Sequence, residues 1–366
     1  MTPTPPAGPQ QPASVPAATA SGGRHVHVLS WALVAGLAAL GVMFVVSDGR
    51  KLLDTAATID LRLLLLPLAL GLASYFAMAR SYEGIALAAG TRIAYWEMLK
   101  ITFVANTMNY VVSAGGLSGF AVRLYYFMRL GTAPGTAVII SLVQTFLTNV
   151  VLLFFLLGGF TYLLNSQELR GYALGTIAAL LGIFVLAAAL ALLLLLHREL
   201  RRRTLFLAAE ATNWTLHHVA PRYKPGRVRV WRFQRTLNRG IEFMLARKRH
   251  MIAPTLWILF DWVITLLVLY TAFLAVRHPI PMSFVIVGFA VGMILSLVSF
   301  IPGGLGIMEG SMAAIFASLS VPFETAVVAA LIFRVAYYFI PMIVSAFFFR
   351  GMLLQGARAA PEVLEH

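Results

Sequence analysis

Glu309 follows three residues after the last glycine of Pro302-Gly303-Gly304-Leu305-Gly306, inside an apolar segment spanning residues 282–319. Pro302 supplies no N–H, and the glycines make continued helix unfavourable, so the segment breaks where it is most apolar. Broken backbone and ionisable groups at membrane depth are costly, and are tolerated only where protein or water surrounds them. Three further charges stand in apolar surroundings. Arg334 lies between Phe333 and Val335, and Asp261 between Phe260 and Trp262. Arg123 follows a second broken stretch, Ser113-Ala114-Gly115-Gly116-Leu117-Ser118-Gly119. An arginine grips phosphate through two parallel N–H donors. A desolvated carboxylate takes an ammonium or a proton. The chemistry in reach is the handling of a charged headgroup.

The candidate substrate-binding residues are Arg123, Arg129, Glu309, Arg334, Asp261, Asn106, Asn109 and Gln144. The hairpin motif is Gly115, Gly116, Pro302, Gly303, Gly304 and Gly306. Each charged candidate has a structural alternative. Glu309 or Asp261 could pair with Arg334, and Arg123 and Arg129 could serve as topology anchors. The three amides could join helices through hydrogen bonds. Arg80 and Glu83, three apart on one helix face, are expected to pair locally. His217 and His218 fit no metal-ligand pattern.

The elements that must position these residues follow from composition. Of 366 residues, 60% are hydrophobic and 11% charged, whereas soluble domains carry about a quarter charged. With repeated apolar runs of membrane-crossing length, this is an all-α polytopic membrane protein. The net charge of +14 does not point to nucleic acid. Half of the 28 Lys and Arg fall between Arg198 and Arg249, opposed only by Glu199, Glu210 and Glu242. That marks a cytoplasmic loop able to lie on anionic lipid headgroups. The absence of cysteine excludes disulfides, thiolate metal sites and cysteine nucleophiles. No Walker A loop, HExxH or catalytic-serine elbow occurs, so no cofactor or metal is expected.

Five regions are expected. Residues 1–23 form a disordered tail and 24–196 a first membrane repeat. Residues 197–250 form the basic loop, with interfacial helices near 204–220 and 230–246. Residues 251–350 complete the second repeat, and 351–366 are a C-terminal tail. Full spans are expected at 27–46, 61–80, 134–164, 172–196, 251–276 and 323–349, with broken segments at 101–130 and 282–319. The charged stretch 47–60 reads as a connection.

The broken segments repeat each other. Gly115-Gly116-Leu117 recurs as Gly303-Gly304-Leu305 at an offset of 188 residues, and Pro134 recurs as Pro322 at the same offset. Thr136-Ala137-Val138 recurs as Thr325-Ala326-Val327 with one residue of slippage. With the basic loop in the cytoplasm, every strongly basic connection falls inside if both broken segments are re-entrant hairpins. Six full transmembrane helices and two re-entrant helical hairpins then form an inverted repeat, with both termini cytoplasmic. Two full crossings per broken segment would leave the same sidedness; short legs such as 120–130 favour hairpins. Broken helices at matching places in inverted halves point to a transport site near the midplane.

Pro302-Gly303-Gly304-Leu305-Gly306 with Glu309, followed by Pro322 and Arg334, resembles the signature of the lysylphosphatidylglycerol synthase transmembrane, or flippase-like, family. Gly115, Gly116 and Arg123 resemble its earlier glycine motif. The resemblance spans roughly residues 28–350. The chain departs from the pattern at Ala114, where a proline is common, and at Gly119, near a place often acidic. The resemblance implies a lipid flippase or transporter of the bacterial cytoplasmic (inner) membrane. The expected substrate is a phospholipid, aminoacylated or not, or a polyprenyl- or hopanoid-type lipid. Nothing in the chain is long or polar enough to be the soluble aminoacyl-transfer domain to which similar membrane domains are fused, so it is not expected to be an enzyme. The alternatives are an integral-membrane transferase using Asp261 or Glu309 as general base, and a non-catalytic partner of a separate lipid synthase.

Overall fold

A computed structural model describes residues 49–111, 117–166, 246–298 and 304–358, with scattered positions between 175 and 242. The N-terminal tail, the span expected at 27–46, most of the span at 172–196, most of the basic loop and the last eight residues lie outside the described residues. So do Gly115, Gly116, Pro302 and Gly303.

Every described element is helical. Where a charged connection was expected, a short helix α1 (Gly49–Ala57) forms. Asp60 then starts α2 (Leu61–Ala88): its Oδ1 accepts the amides of Arg62 at 3.0 Å and Leu63 at 3.4 Å, filling two of the donors a helix start leaves open. The span was expected to end at Arg80 or slightly beyond, and the helix runs eight residues further. Arg80 is a good helix former, and here Glu83 pairs with its guanidinium at 2.8 Å while the Tyr95 ring covers it at 3.9 Å.

Two short helices follow, α3 (Tyr95–Val111) and α4 (Leu117–Arg129), then the long α5 (Pro134–Ser166). Pro134 opens α5, where a missing N–H costs nothing. The second series begins with a 3₁₀ turn (Lys248–Met251) leading into α6 (Ile252–Ala275). Two short helices come next, α7 (Met282–Val298) and α8 (Ile307–Ser318). A long closing rod comprises α9 (Phe323–Arg334), a π-helical turn (Val335–Phe339) and α10 (Ile340–Arg358). Among the described residues, four stretches are long and apolar enough to cross a membrane: Leu61–Ala88, Pro134–Gly159, Arg249–Ala275 and Phe323–Gly351. Large apolar side chains such as Leu65, Phe154 and Phe347 stay exposed on them, as a lipid-facing surface requires.

The order long, short, short, long therefore occurs twice, and the packing is reciprocal. The central contact joins α2 to α6. They run antiparallel: the Asp60 amide donates to the Ala275 carbonyl at 2.8 Å, Ser74 meets Asp261, and Gly84 abuts Pro254. Two main apolar cores result. One gathers Tyr75, Phe103 and Phe127 with Ala137–Val143 of early α5; the other gathers Phe273, Phe289, Phe316 and Phe333. Each closing helix starts in its own core and ends in the other. Late α5 (Val151, Leu152, Leu156) packs into the second core, and α10 (Val344, Phe348) packs against the first.

Candidate functional site

Glu309 occupies the third position of α8, 2% exposed. Gly306 precedes the helix at φ +80° and Gly304 at φ +62°, conformations that side-chain-bearing residues adopt only under strain. A Cβ on Gly304 would also stand 2.0 Å from Ser296 Oγ on α7. These two turns swing the chain so that Glu309 reaches back. Its Oε2 accepts the Gly306 amide at 2.8 Å, half of a capping box whose other half glycine cannot supply. Its Oε1 accepts Arg334 Nε. Arg334, 4% exposed, also directs Nη2 to the Gly304 carbonyl at 3.4 Å. The guanidinium lies 4.3 Å from the Tyr338 ring centroid. The carboxylate sits at a helix N-terminus, where the dipole favours it. The buried pair is charge-balanced and ties the α7–α8 break to the closing rod.

The π turn directly after Arg334 has a local cause. Pro341 has no N–H for the Tyr337 carbonyl four residues back, and an inserted residue relieves the clash. The Tyr75 hydroxyl stands 3.5 Å from that released carbonyl. Gly71 of α2 makes the approach possible, since a Cβ there would lie 2.2 Å from the Ala336 carbonyl oxygen. The turn brings Tyr337 and Tyr338 against Tyr75 and Tyr110. Ring centroids are 6.1 Å apart for Tyr75–Tyr337, 5.5 Å for Tyr337–Tyr338 and 4.3 Å for Tyr110–Tyr338. This row of phenols links the Glu309–Arg334 pair to Asp261. Asp261, on α6 and 5% exposed, accepts the Ser74 hydroxyl from α2.

The first break is satisfied differently. Asn109 Oδ1 accepts the Gly119 amide at 2.7 Å and the Ser118 hydroxyl at 3.3 Å. A neutral amide thus caps α4. Arg123, one turn further and 6% exposed, donates from Nη2 to Asn106 Oδ1 at 2.9 Å. Its guanidinium faces the Tyr82 ring at 4.9 Å. Its Nε is buried without a hydrogen-bond partner, and no carboxylate pairs with Arg123 among the described residues.

Of the sequence-predicted residues, the structure brings Glu309 and Arg334 together, and separately Arg123 and Asn106. Asn109 is engaged as a cap. Gln144 accepts Ser81 Oγ at 2.6 Å and donates to Thr148 at 3.4 Å. Arg129 is exposed in the last turn of α4, 5.4 Å from the Tyr125 ring centroid. Sequence reasoning missed Ser74, Tyr75, Tyr82, Tyr110, Tyr337 and Tyr338. Two signals were available. Gly71, Ser74, Met78, Ser81 and Tyr82 share one face of α2 at helical spacing, and Pro341 interrupts an otherwise regular apolar helix.

Residues 29–345 match the model of the family described as the lysylphosphatidylglycerol synthase TM region. The chain belongs to this family. Among the similar proteins is the phosphatidylglycerol lysyltransferase of Staphylococcus haemolyticus (strain JCSC1435). It is 38% identical over 86 residues, which are 24% of this chain and 10% of that protein. The phosphatidylglycerol lysyltransferase of Staphylococcus aureus (strain COL) is 37% identical over 86 residues, 23% of this chain and 10% of its own. The chain thus matches a tenth of the length of these curated relatives. Membership of the lysylphosphatidylglycerol synthase membrane family implies a lipid-related role in a membrane.

Proposed function

We propose that the chain is a lipid flippase or lipid transporter of the bacterial inner membrane, not itself an enzyme. It moves a phospholipid, aminoacylated or not, or a polyprenyl- or hopanoid-type lipid between leaflets. The observation that carries the reading is Arg123. A buried charge without a counter-charge is expensive, and among the described residues this one faces a neutral amide and an aromatic ring. A lipid phosphate supplies the missing anion, and a guanidinium fork holds it in two parallel bonds. The Glu309–Arg334 pair, already balanced, acts as a strut.

In this reading α3–α4 and α7–α8 are re-entrant hairpins entering from opposite faces, beside six full spans. The antiparallel α2–α6 contact and the reciprocal packing of the closing helices support an inverted repeat. Rocking of one half on the other exposes the polar chamber to each leaflet in turn. The chains of the lipid stay in the bilayer. The N- and C-termini and the basic loop are cytoplasmic, the loop resting on anionic headgroups.

Asn106→Asp tests the proposal because it gives Arg123 an internal counter-ion with almost no change of shape. Wild-type protein in phosphatidylglycerol-containing liposomes should bring buried fluorescent anionic lipid to an external quencher. The variant should unfold at higher temperature yet move lipid about tenfold more slowly, the factor for ~1.4 kcal/mol of lost phosphate contact. Identical exposure kinetics with and without wild-type protein, across phospholipid and polyprenyl-phosphate probes, would remove the reading. The lysyltransferase name of the relatives favours a second one, in which the chain is a non-catalytic partner of a separate lipid synthase. That reading predicts lipid movement only when a synthase is present.

A further inference from the structure

Ser74 and Asp261 hydrogen-bond across the α2–α6 contact and are 187 residues apart, one residue from the 188-residue offset between the two glycine breaks. Pro67 of α2 and Pro254 of α6 are also 187 apart. An antiparallel pair of corresponding helices has one level at which a position meets its own counterpart. Ser74 and Asp261 mark that level, so their bond sits where the two halves turn about each other. Relative motion of the halves acts on it first.

The carboxyl at this place is poorly suited to permanent charge. Asp261 receives one side-chain donor, the Ser74 hydroxyl. A carboxylate can accept about four hydrogen bonds. The Thr265 hydroxyl is spent on the Asp261 main-chain carbonyl at 2.9 Å. Among the described residues, the elements packed against α6 place no cation beside Asp261: on α2, Arg62 lies twelve residues from Ser74, and Arg80 is exposed and paired with Glu83. Tyr75 of α2 and Tyr337 of the π turn are the groups that face Asp261. Within the described part of α5 the titratable residue is Tyr162, and α7 contains none. On α9, Arg334 is bound to Glu309, and Glu324 lies in the first turn. Lys248, Arg249 and His250 belong to the 3₁₀ turn before α6, at least two helical turns away in sequence. A buried carboxyl without a cation is held most cheaply with its proton on.

We propose that Asp261 is a proton-binding site that couples the rocking of the two halves to a proton gradient; this rests on the transport reading. With the halves closed, Asp261 is a neutral acid whose carbonyl oxygen accepts Ser74. When the contact opens to water on one side, the acid releases its proton to that side and becomes a carboxylate. The carboxylate then crosses the closed contact with the Ser74 hydroxyl as its donor, the slow half of the cycle, and regains a proton from water on the other side. The ion transferred is one proton per turnover, and no other reactant is needed.

The experiment uses the full chain in nanodiscs of phosphatidylglycerol and phosphatidylethanolamine. Infrared difference spectra across a pH titration should show the carbonyl stretch of a protonated carboxyl in a dry site. It should be lost in Asp261→Asn, moved in frequency in Asp261→Glu, and shifted in Ser74→Ala. No Asp261-dependent band at any pH at which the protein stays folded would overturn the proposal. In proteoliposomes at zero membrane potential, an imposed pH gradient should change the rate of fluorescent phosphatidylglycerol movement several-fold in wild type and leave Asp261→Asn unresponsive. Wild-type lipid movement that ignores the gradient would also overturn it. A chain that moves no lipid under either gradient refutes the transport reading instead, and the infrared band then decides the proton site alone.

Discussion

The α3–α4 and α7–α8 pairs share a plan, two short helices separated by a glycine break, yet they balance charge in opposite ways. In the second pair a carboxylate both caps the helix start and neutralises an arginine from the closing rod. In the first pair an asparagine does the capping, and the arginine one turn on is left with neutral neighbours. The glycine that stands where an acid could have been, Gly119, has no room to change. A Cβ there would lie 2.3 Å from the Ala105 carbonyl oxygen and 2.5 Å from Asn109 Oδ1. One break is thereby charge-balanced, and the other holds a positive charge with no carboxylate beside it among the described residues. Similar backbone architecture does not imply similar roles.

The strongest test of this contrast removes one charge from each break. Glu309→Ala strands Arg334 in the interior and should cost about 3–5 kcal/mol, seen as a large fall in the unfolding midpoint in detergent. Arg123→Met removes a charge that had no counter-charge and should cost less than ~1 kcal/mol or stabilise. Equal losses would erase the distinction between the two breaks.

Smaller effects come from the glycines. Gly304→Ala forces an L-residue into a left-handed conformation and pushes on a serine, for about 1–3 kcal/mol. Ser296→Gly in the same chain should return part of it. Gly119→Ala should cost about 1–3 kcal/mol through overpacking. No side-chain change on α3 should fully rescue it, because the nearest obstacle is a main-chain oxygen. Thermal unfolding of the single and double variants in detergent separates the two cases. Asn109→Ala, which uncaps α4, should lose about 1 kcal/mol without changing phosphatidylglycerol binding measured by native mass spectrometry.

The smallest effect lies outside both breaks. The amides of Arg62 and Leu63, aided by Arg277, hold the Asp60 carboxyl below its usual range. A carboxyl lowered in the folded state stabilises above its unfolded pKa and loses that contribution as pH falls through the folded value. Asp60→Asn should therefore be slightly less stable than wild type at neutral pH and converge with it in strong acid, measured by denaturant titration.

Much of this architecture was legible in the sequence, because apolar runs and glycine breaks act locally. The four long stretches and the two broken pairs begin and end close to where composition puts them. The exceptions are modest: α2 runs eight residues past Arg80, a good helix former, and α1 formed in a stretch whose charges suggested a connection. The Glu309–Arg334 pair was foreseeable as one alternative, since both residues stand in apolar segments that must meet. The Ser74–Asp261 contact was not. It joins residues 187 apart and depends on how two helices are rotated about their axes, which composition does not record. The tyrosines stayed hidden because an aromatic residue in an apolar helix looks the same whether it fills a core or faces a polar group.

The π turn at Val335–Phe339 stands where the closing rod leaves one apolar core for the other. Because each residue of an α-helix advances the chain by about 100°, deleting one residue from this turn would swing all of α10 around its axis by roughly that angle. The face bearing Val344 and Phe348 would then turn away from α3, and Pro341 would again clash with the carbonyl one turn back. The extra residue thus sets the angle at which α10 meets the first core, while Glu309 and Arg334, which precede the turn, would keep their pairing.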